Sequence, residues 1–214
     1  AYHEWYDTYF KDIRTFPTNT TCASLQCLAI NRHDLEILSI NSALFAQDNS
    51  DHGKLWVGRR CLDAALPERT PGNRTIRMAL LHHPVDWLHE VESANIDKKL
   101  INNFDVILRG HLHKTDLKRI ATESESVLQF AAGAAYQTRE HPNKAMYCTV
   151  SDGFVEIFPI RYEDEPNETW TLDTSVFPDK APTYIGRFKL PKFKPDTVID
   201  TATVTSTPTP TIPS

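Results

Sequence analysis

Ile76-Arg77-Met78-Ala79-Leu80-Leu81-His82-His83-Pro84, followed further on by Phe104-Asp105-Val106-Ile107-Leu108-Arg109-Gly110-His111-Leu112-His113, decides the reading of this chain. Each is a short apolar run of β character that ends in histidines. Such runs read as buried strands of an α/β fold, and ligands bind outside their ends. Between them Trp87, Leu88, Val91, Ile96, Leu100 and Ile101 recur at helical spacing, with a break expected near residues 93–95. Strand, helix and strand make a crossover unit, the connection that parallel pairs require. Side chains two apart in an extended chain share a face, so His111 and His113 can aim at one point. Gly110 lets the backbone turn tightly or pass close to a ligand. The same alternation points His82 and His83 apart and leaves open which of them faces a metal. His89 reads as a surface or half-buried residue of the intervening helix.

Upstream, Trp5, Tyr6, Tyr9, Phe10 and Ile13 fall at helical spacing and predict an amphipathic helix over residues 2–16 whose aromatic face packs on the core. A polar break at 17–21 precedes two strands, 24–30 and 35–40, around the turn-like Asn31-Arg32-His33-Asp34. His33 is expected as a solvated turn residue. Apolar positions Leu55, Val57, Leu62, Ala65 and Leu66 predict a helix over 55–66, ended by the prolines and glycine of 67–73.

Downstream, residues 126–132 read as a strand. Asp152-Gly153 between alternating apolar runs predicts a hairpin over 146–161. From residue 162 the chain is expected to be irregular. The last stretch, rich in Thr and Pro, has too little apolar surface to pack and reads as a disordered linker, leaving room for a further domain beyond it.

With 214 residues, 40% hydrophobic and 10% aromatic, the chain can bury an ordinary core. A formal charge of −5 lacks the basic footprint that phosphate-backbone binding needs, which argues against nucleic acid as a partner. No stretch approaches the ~20 apolar residues of a membrane helix, and the expected location is the cytoplasm. The four cysteines (Cys22, Cys27, Cys61, Cys148) form no Cys-x-x-Cys pair and are expected as free thiols in a reducing compartment. Sequons at Asn19, Asn73 and Asn167 would matter only in a secreted eukaryotic protein.

Together, His82-His83-Pro84 with Asp86-Trp87-Leu88 and then Gly110-His111-Leu112-His113 resemble the last two motifs of the calcineurin-like metallophosphoesterase family, in a form similar to its bacterial branch. The family's earlier Asp-x-His, Gly-Asp-x-x-Asp and Gly-Asn-His motifs have no match before His82; His3-Glu4 lacks the Gly-Asn. The resemblance therefore implies the C-terminal half of an α/β domain, a β-sandwich flanked by helices in four αββα layers. It gives residues 1–163 as that half, 164–195 as an irregular extension and 196–214 as the Thr/Pro-rich tail.

It also implies two divalent transition metals (Mn, Fe, Zn or Co), with His82 and His111 on one and His113 on the other, this chain supplying only part of the ligands. His83 is then the weaker ligand candidate. Asn41, Gly110, Asp86 and Asp116 are expected close to the site, the carboxylates as partners orienting imidazoles. No catalytic residue is assigned. The implied activity is hydrolysis of a small phosphomonoester or phosphodiester, with the chain by itself a poor catalyst. A catalytically incomplete binding module and a nuclease are the alternatives. A half-domain should also leave apolar strand edges uncovered, expected at residues 79–81 or 106–108.

Overall fold

Two antiparallel strands, β1 (Ala23–Ile30) and β2 (His33–Ile40), open a six-stranded sheet, pairing from Ile30 opposite His33 to Ala23 opposite Ile40. The computed structural model describes residues 2–11, 22–30, 33–48, 50–66, 68, 75–135 and 143–193. The polar break at 17–21, most of the loop at 67–73, the tail at 196–214 and the sequons at Asn19 and Asn73 fall largely or wholly outside the described residues. Next to β2 lies β3 (Ile76–Leu81), parallel to it, then β4 (Val106–Arg109), parallel to β3. β6 (Ser126–Ala132) continues the parallel run, and β5 (Thr115–Ala121) closes the far edge antiparallel to β6. The order is β1-β2-β3-β4-β6-β5.

Apolar residues on both faces of the central strands make this sheet a middle layer, as near-continuous apolar runs imply. On one face Leu38, Ala79, Leu81, Ile107 and Val127 pack under two helices, α2 (Arg59–Ala65) and α3 (Glu90–Asn103), through Leu62, Ile96, Leu100 and Ile101. On the other, Ile76, Val106, Leu128 and Phe130 meet Val155, Ile157, Leu190 and Phe193. These belong to or adjoin a second sheet built from β7 (Lys144–Ser151), β8 (Phe154–Glu163), β9 (Thr169–Leu172) and β10 (Gly186–Lys189). The fold is thus mixed α/β with two sheets. Among the described residues it has three layers, helix, sheet and sheet, where the resemblance implies four.

The hairpin expected around Asp152-Gly153 is β7–β8, with both turn residues at positive φ (48° and 78°), as the tight hairpin turn demands. The crossover from β3 through α3 to β4 is also as expected, but α3 runs unbroken across 93–95 and starts only at Glu90. Residues 85–87 form a separate 3-10 turn. His89 caps α3, its Nδ1 accepting from the Val91 N–H at 3.3 Å. The helix predicted over 55–66 begins at Arg59, because Leu55 bridges to Leu88 in extended form. The buried Glu92 carboxylate then accepts the N–H groups of Val57 (2.7 Å), Gly58 and Arg59 (2.9 Å each). Charge-assisted bonds of this kind are worth about 1.5–3 kcal/mol each.

Several expectations are overturned. Cys22 and Cys61 form a disulfide, tying the start of β1 to α2, while Cys27 and Cys148 are free. The helix over 2–16 is described only as α1 (Tyr2–Tyr9). Its Trp5 and Tyr9 stack on each other at 5.5 Å and are 51% and 67% exposed, so these two rings lie outside the core, whereas Tyr6 and Phe10 are half-buried. His33 opens β2, half-buried, with its ring 5.4 Å from Phe193. Of the edges expected to be uncovered, Ala79, Leu81, Val106 and Ile107 are buried and Leu80 and Leu108 half-buried; among the described residues the β1 edge exposes more, at Leu25, Leu28 and Ile30. Residues 164–195, expected to be irregular, carry β9 and β10, both paired with β8. Lys192 fastens them: its N–H donates to Asp105 Oδ1 at 3.2 Å, and its Nζ donates to the carbonyls of Phe104 (3.0 Å) and Ser126. No described helix is long and apolar enough to cross a membrane.

Candidate metal centre

His82 and His83 follow β3 directly, in a bend. Strand alternation stops with the strand, so the two rings are not sent to opposite faces. One ring nitrogen each of His82, His83 and His111 lies within 4.8 Å of the others, and the three could hold a metal ion. His111 Nδ1 and His82 Nε2 are 3.2 Å apart. Two nitrogens sharing a tetrahedral zinc at ~2.0–2.1 Å would be separated by about 3.3 Å, so this pair fits joint ligation.

His83 is the best-supported of the three. It is buried; its backbone N–H donates to Ser42 Oγ at 3.0 Å, and its Nδ1 lies 3.1 Å from the same oxygen. Ser42 is itself buried, in the turn after β2, where the Asn41 N–H donates to the Cys22 carbonyl at 2.7 Å. A hydroxyl oxygen has two lone pairs. Ser42 can therefore accept from both the backbone and a protonated Nδ1, the tautomer that frees Nε2 for a metal. Burial, and then the neighbouring His82 and His111, push the His83 ring down to about 4. His111 is shifted down as well, by burial first and then by His82 and His113. Neutral imidazole is the form that binds metal.

The second strand end is built differently. After β4, Gly110 passes so close to His82 that a Cβ there would sit 3.3 Å from His82 Nδ1, and its N–H donates to the His82 carbonyl at 3.1 Å. His111 and His113 both adopt positive φ, 68° and 52°. The chain is not extended here, and the two-apart rule does not bring their rings to one point. His113 stands outside the group of three. Trp87 closes the site, its ring 4.0 Å edge-on from His111 and 5.7 Å from His83.

The remaining expected residues have other partners. Asn41 is exposed and accepts from the Ala43 N–H at 3.2 Å. Asp86 Oδ2 lies 3.9 Å from His52 Nε2. Asp116 pairs with Arg109 and, at 3.5 Å, with Lys118. The Arg109 side chain is buried, with Nε and Nη1 lacking hydrogen-bond partners. It lines a cavity of about 520 Å³ beside the histidines, together with Pro84, Asp97, Leu112, Lys118 and Gln129. Sequence reasoning missed Ser42, choosing its neighbour Asn41; a polar pair closing an apolar strand was the only signal. It quoted Trp87 without giving it a place at the site.

No family profile matches the chain, and no curated protein does. Solved structures that resemble it include Vps29 from Chaetomium thermophilum, at 10% identity over 78% of this chain and 61% of that one, with a TM-score of 0.33. Another is a double mutant of Vps29 from Entamoeba histolytica, at 12% identity over 70% of this chain and 60% of that one (TM-score 0.30). A third is Chaetomium thermophilum Vps29 bound to a cyclic peptide, at 10% identity over 73% and 96% (TM-score 0.29). The chain thus spans about 61% of the length of the first of these. Likeness at this level assigns neither fold nor activity.

Proposed function

We propose that this chain carries the histidine ligands of a metal-dependent phosphoesterase of the calcineurin-like type, acting on a small phosphomonoester or phosphodiester. The observation that supports it is the convergence of His82, His83 and His111 from the ends of two adjacent parallel strands. The proposed ligand set is this group: His82 and His111, which the resemblance gives to one metal, joined by His83, while His113, which it gives to a second metal, is not among them. A bound divalent transition metal would polarise a phosphoryl oxygen and activate water. The chain's own residues prepare for that. Ser42 orients His83, burial keeps His83 and His111 neutral, and Trp87 shields one side of the site from solvent. The adjoining cavity has the size of a small-molecule site, and its charged lining is mixed, Arg109 and Lys118 beside Asp86 and Asp97.

A second reading, a metal-binding module without catalysis, is favoured by the composition of the group: among the described residues no carboxylate joins the three imidazoles. Without a bridging carboxylate two dications would repel one another, so one metal per chain is expected. Hydrolysis of an activated phosphodiester with added Mn separates the readings. Metal-dependent turnover that disappears in His83→Ala and His111→Ala supports the phosphoesterase. Stoichiometric metal binding with no turnover favours the module, and turnover indifferent to both substitutions sinks the ligand assignment.

A further inference from the structure

We infer that Asn167 is an N-glycosylation site whose glycan lies over the exposed aromatic ridge of the second sheet. The acceptor triplet Asn167-Glu168-Thr169 spans the end of the connection from β8 and the first residue of β9, with all three residues exposed. An N-x-Thr triplet in an accessible turn is what glycan transfer requires. By itself such a triplet carries little weight. The Cys22–Cys61 disulfide is the independent observation: Cys22 is buried at the start of β1, so the bond is part of the core and not a surface accident. Structural disulfides form and persist in oxidising compartments, the same compartments in which N-linked glycans are added.

The location supplies the reason for a glycan. On the face of the second sheet turned away from the core, Tyr147, Phe158, Ile160, Tyr162, Trp170 and Leu172 share one side by register, Tyr162 opposite Trp170 and Ile160 opposite Leu172. Tyr147 is 67% exposed, Trp170 43%, and the Tyr162 and Trp170 rings meet edge-on at 5.6 Å. A contiguous apolar patch of this kind invites association. Asn167 lies three residues before Trp170, so a hydrophilic oligosaccharide rooted there covers the ridge while its sugar C–H faces rest on the rings.

The attachment is a group transfer from a lipid-pyrophosphate-linked oligosaccharide. Asn167 Nδ2 forms a bond to the anomeric carbon of the first sugar and loses a proton, while the bond from that carbon to the pyrophosphate oxygen breaks and the lipid pyrophosphate leaves with the electron pair.

The protein isolated from its natural source provides the test. N-glycosidase treatment in heavy-oxygen water converts a glycosylated asparagine to labelled aspartate, so the tryptic peptide 162–180 should carry the label at residue 167. The same peptide recovered unlabelled and unmodified overturns the site. For the ridge, Asn167→Gln and Thr169→Ala, secreted from eukaryotic cells, should each bind an apolar dye several-fold more strongly than the glycosylated protein, with metal binding unchanged. Dye binding that stays the same in both variants overturns the covering role.

Discussion

The two strand ends that meet at the candidate metal centre are built by opposite means. After β3, His83 is buried and doubly engaged with a buried serine. After β4, His111 and His113 sit at positive φ in more open surroundings. For a residue other than glycine such backbone costs about 1–3 kcal/mol, although histidine visits it more readily than most. One arm is thus preformed by the core, and the other is held in an unfavourable conformation that a bound ion would help to justify. The difference teaches that ligand identity and ligand rigidity are separate properties, and that mutation can tell them apart.

Metal affinity should show the largest effects. His83→Ala and His111→Ala each remove a ligand and should lower affinity by at least roughly 100-fold, the upper end of what losing a mere supporting partner costs. Only His83→Ala should also destabilise the fold. Isothermal titration beside urea unfolding checks both, and equal stability losses would erase the distinction between the arms.

Ser42→Ala comes next. It leaves both ligands of the β3 arm in place but removes the support of His83, so affinity should fall by about 10–100-fold. The orphaned His83 N–H should cost about 1–3 kcal/mol. Unchanged affinity would mean that the ring is held by packing alone.

The pH dependence of stability follows from the same burial. His83 titrates at about 4 in the fold, against 6.5 for an ordinary imidazole. As pH drops below 6.5 the unfolded chain takes up a proton there that the fold refuses until about 4. The stabilisation present above that window is therefore lost progressively on acidification. The urea midpoint should fall across this range in the parent chain and less steeply in His83→Asn. Parallel curves would show that the buried ring is not felt.

The smallest expected effect is on the other arm. His113→Gly removes the penalty of positive φ and should stabilise by up to about 1 kcal/mol, with metal affinity changed by less than about tenfold. A large loss of affinity would reveal His113 as a ligand after all and the β4 arm as one that rearranges on binding.

The central strands were legible because sheets buried on both faces leave continuous apolar runs, as in residues 76–81 and 126–132, and the parallel pairing of β3 with β4 followed from the helix between them. The hairpin was legible through Asp152-Gly153. β5 escaped because an edge strand such as Thr115–Ala121 is largely polar, and β10 because four residues carry no period. At the site, the histidines announced themselves but their directions did not. The alternation rule holds within a strand, and both clusters lie one step beyond one. The disulfide was illegible for a similar reason: residues 39 apart in sequence are joined only by tertiary structure.

Lys192 and its neighbours set a schedule for the molecule's synthesis. The core between helices and main sheet is complete once Val127 has emerged, whereas the underside of that sheet waits for Val155 and Ile157, and finally for Leu190 and Phe193. At translation speeds of roughly 5–20 residues per second, several seconds pass during which Ile76, Val106, Leu128 and Phe130 face the exit side uncovered. Lys192, bonding 87 residues back to Asp105, arrives only after Leu190 and just before Phe193. A nascent chain stalled before it presents a half-covered sheet, apolar surface of the kind that makes incomplete chains prone to aggregate.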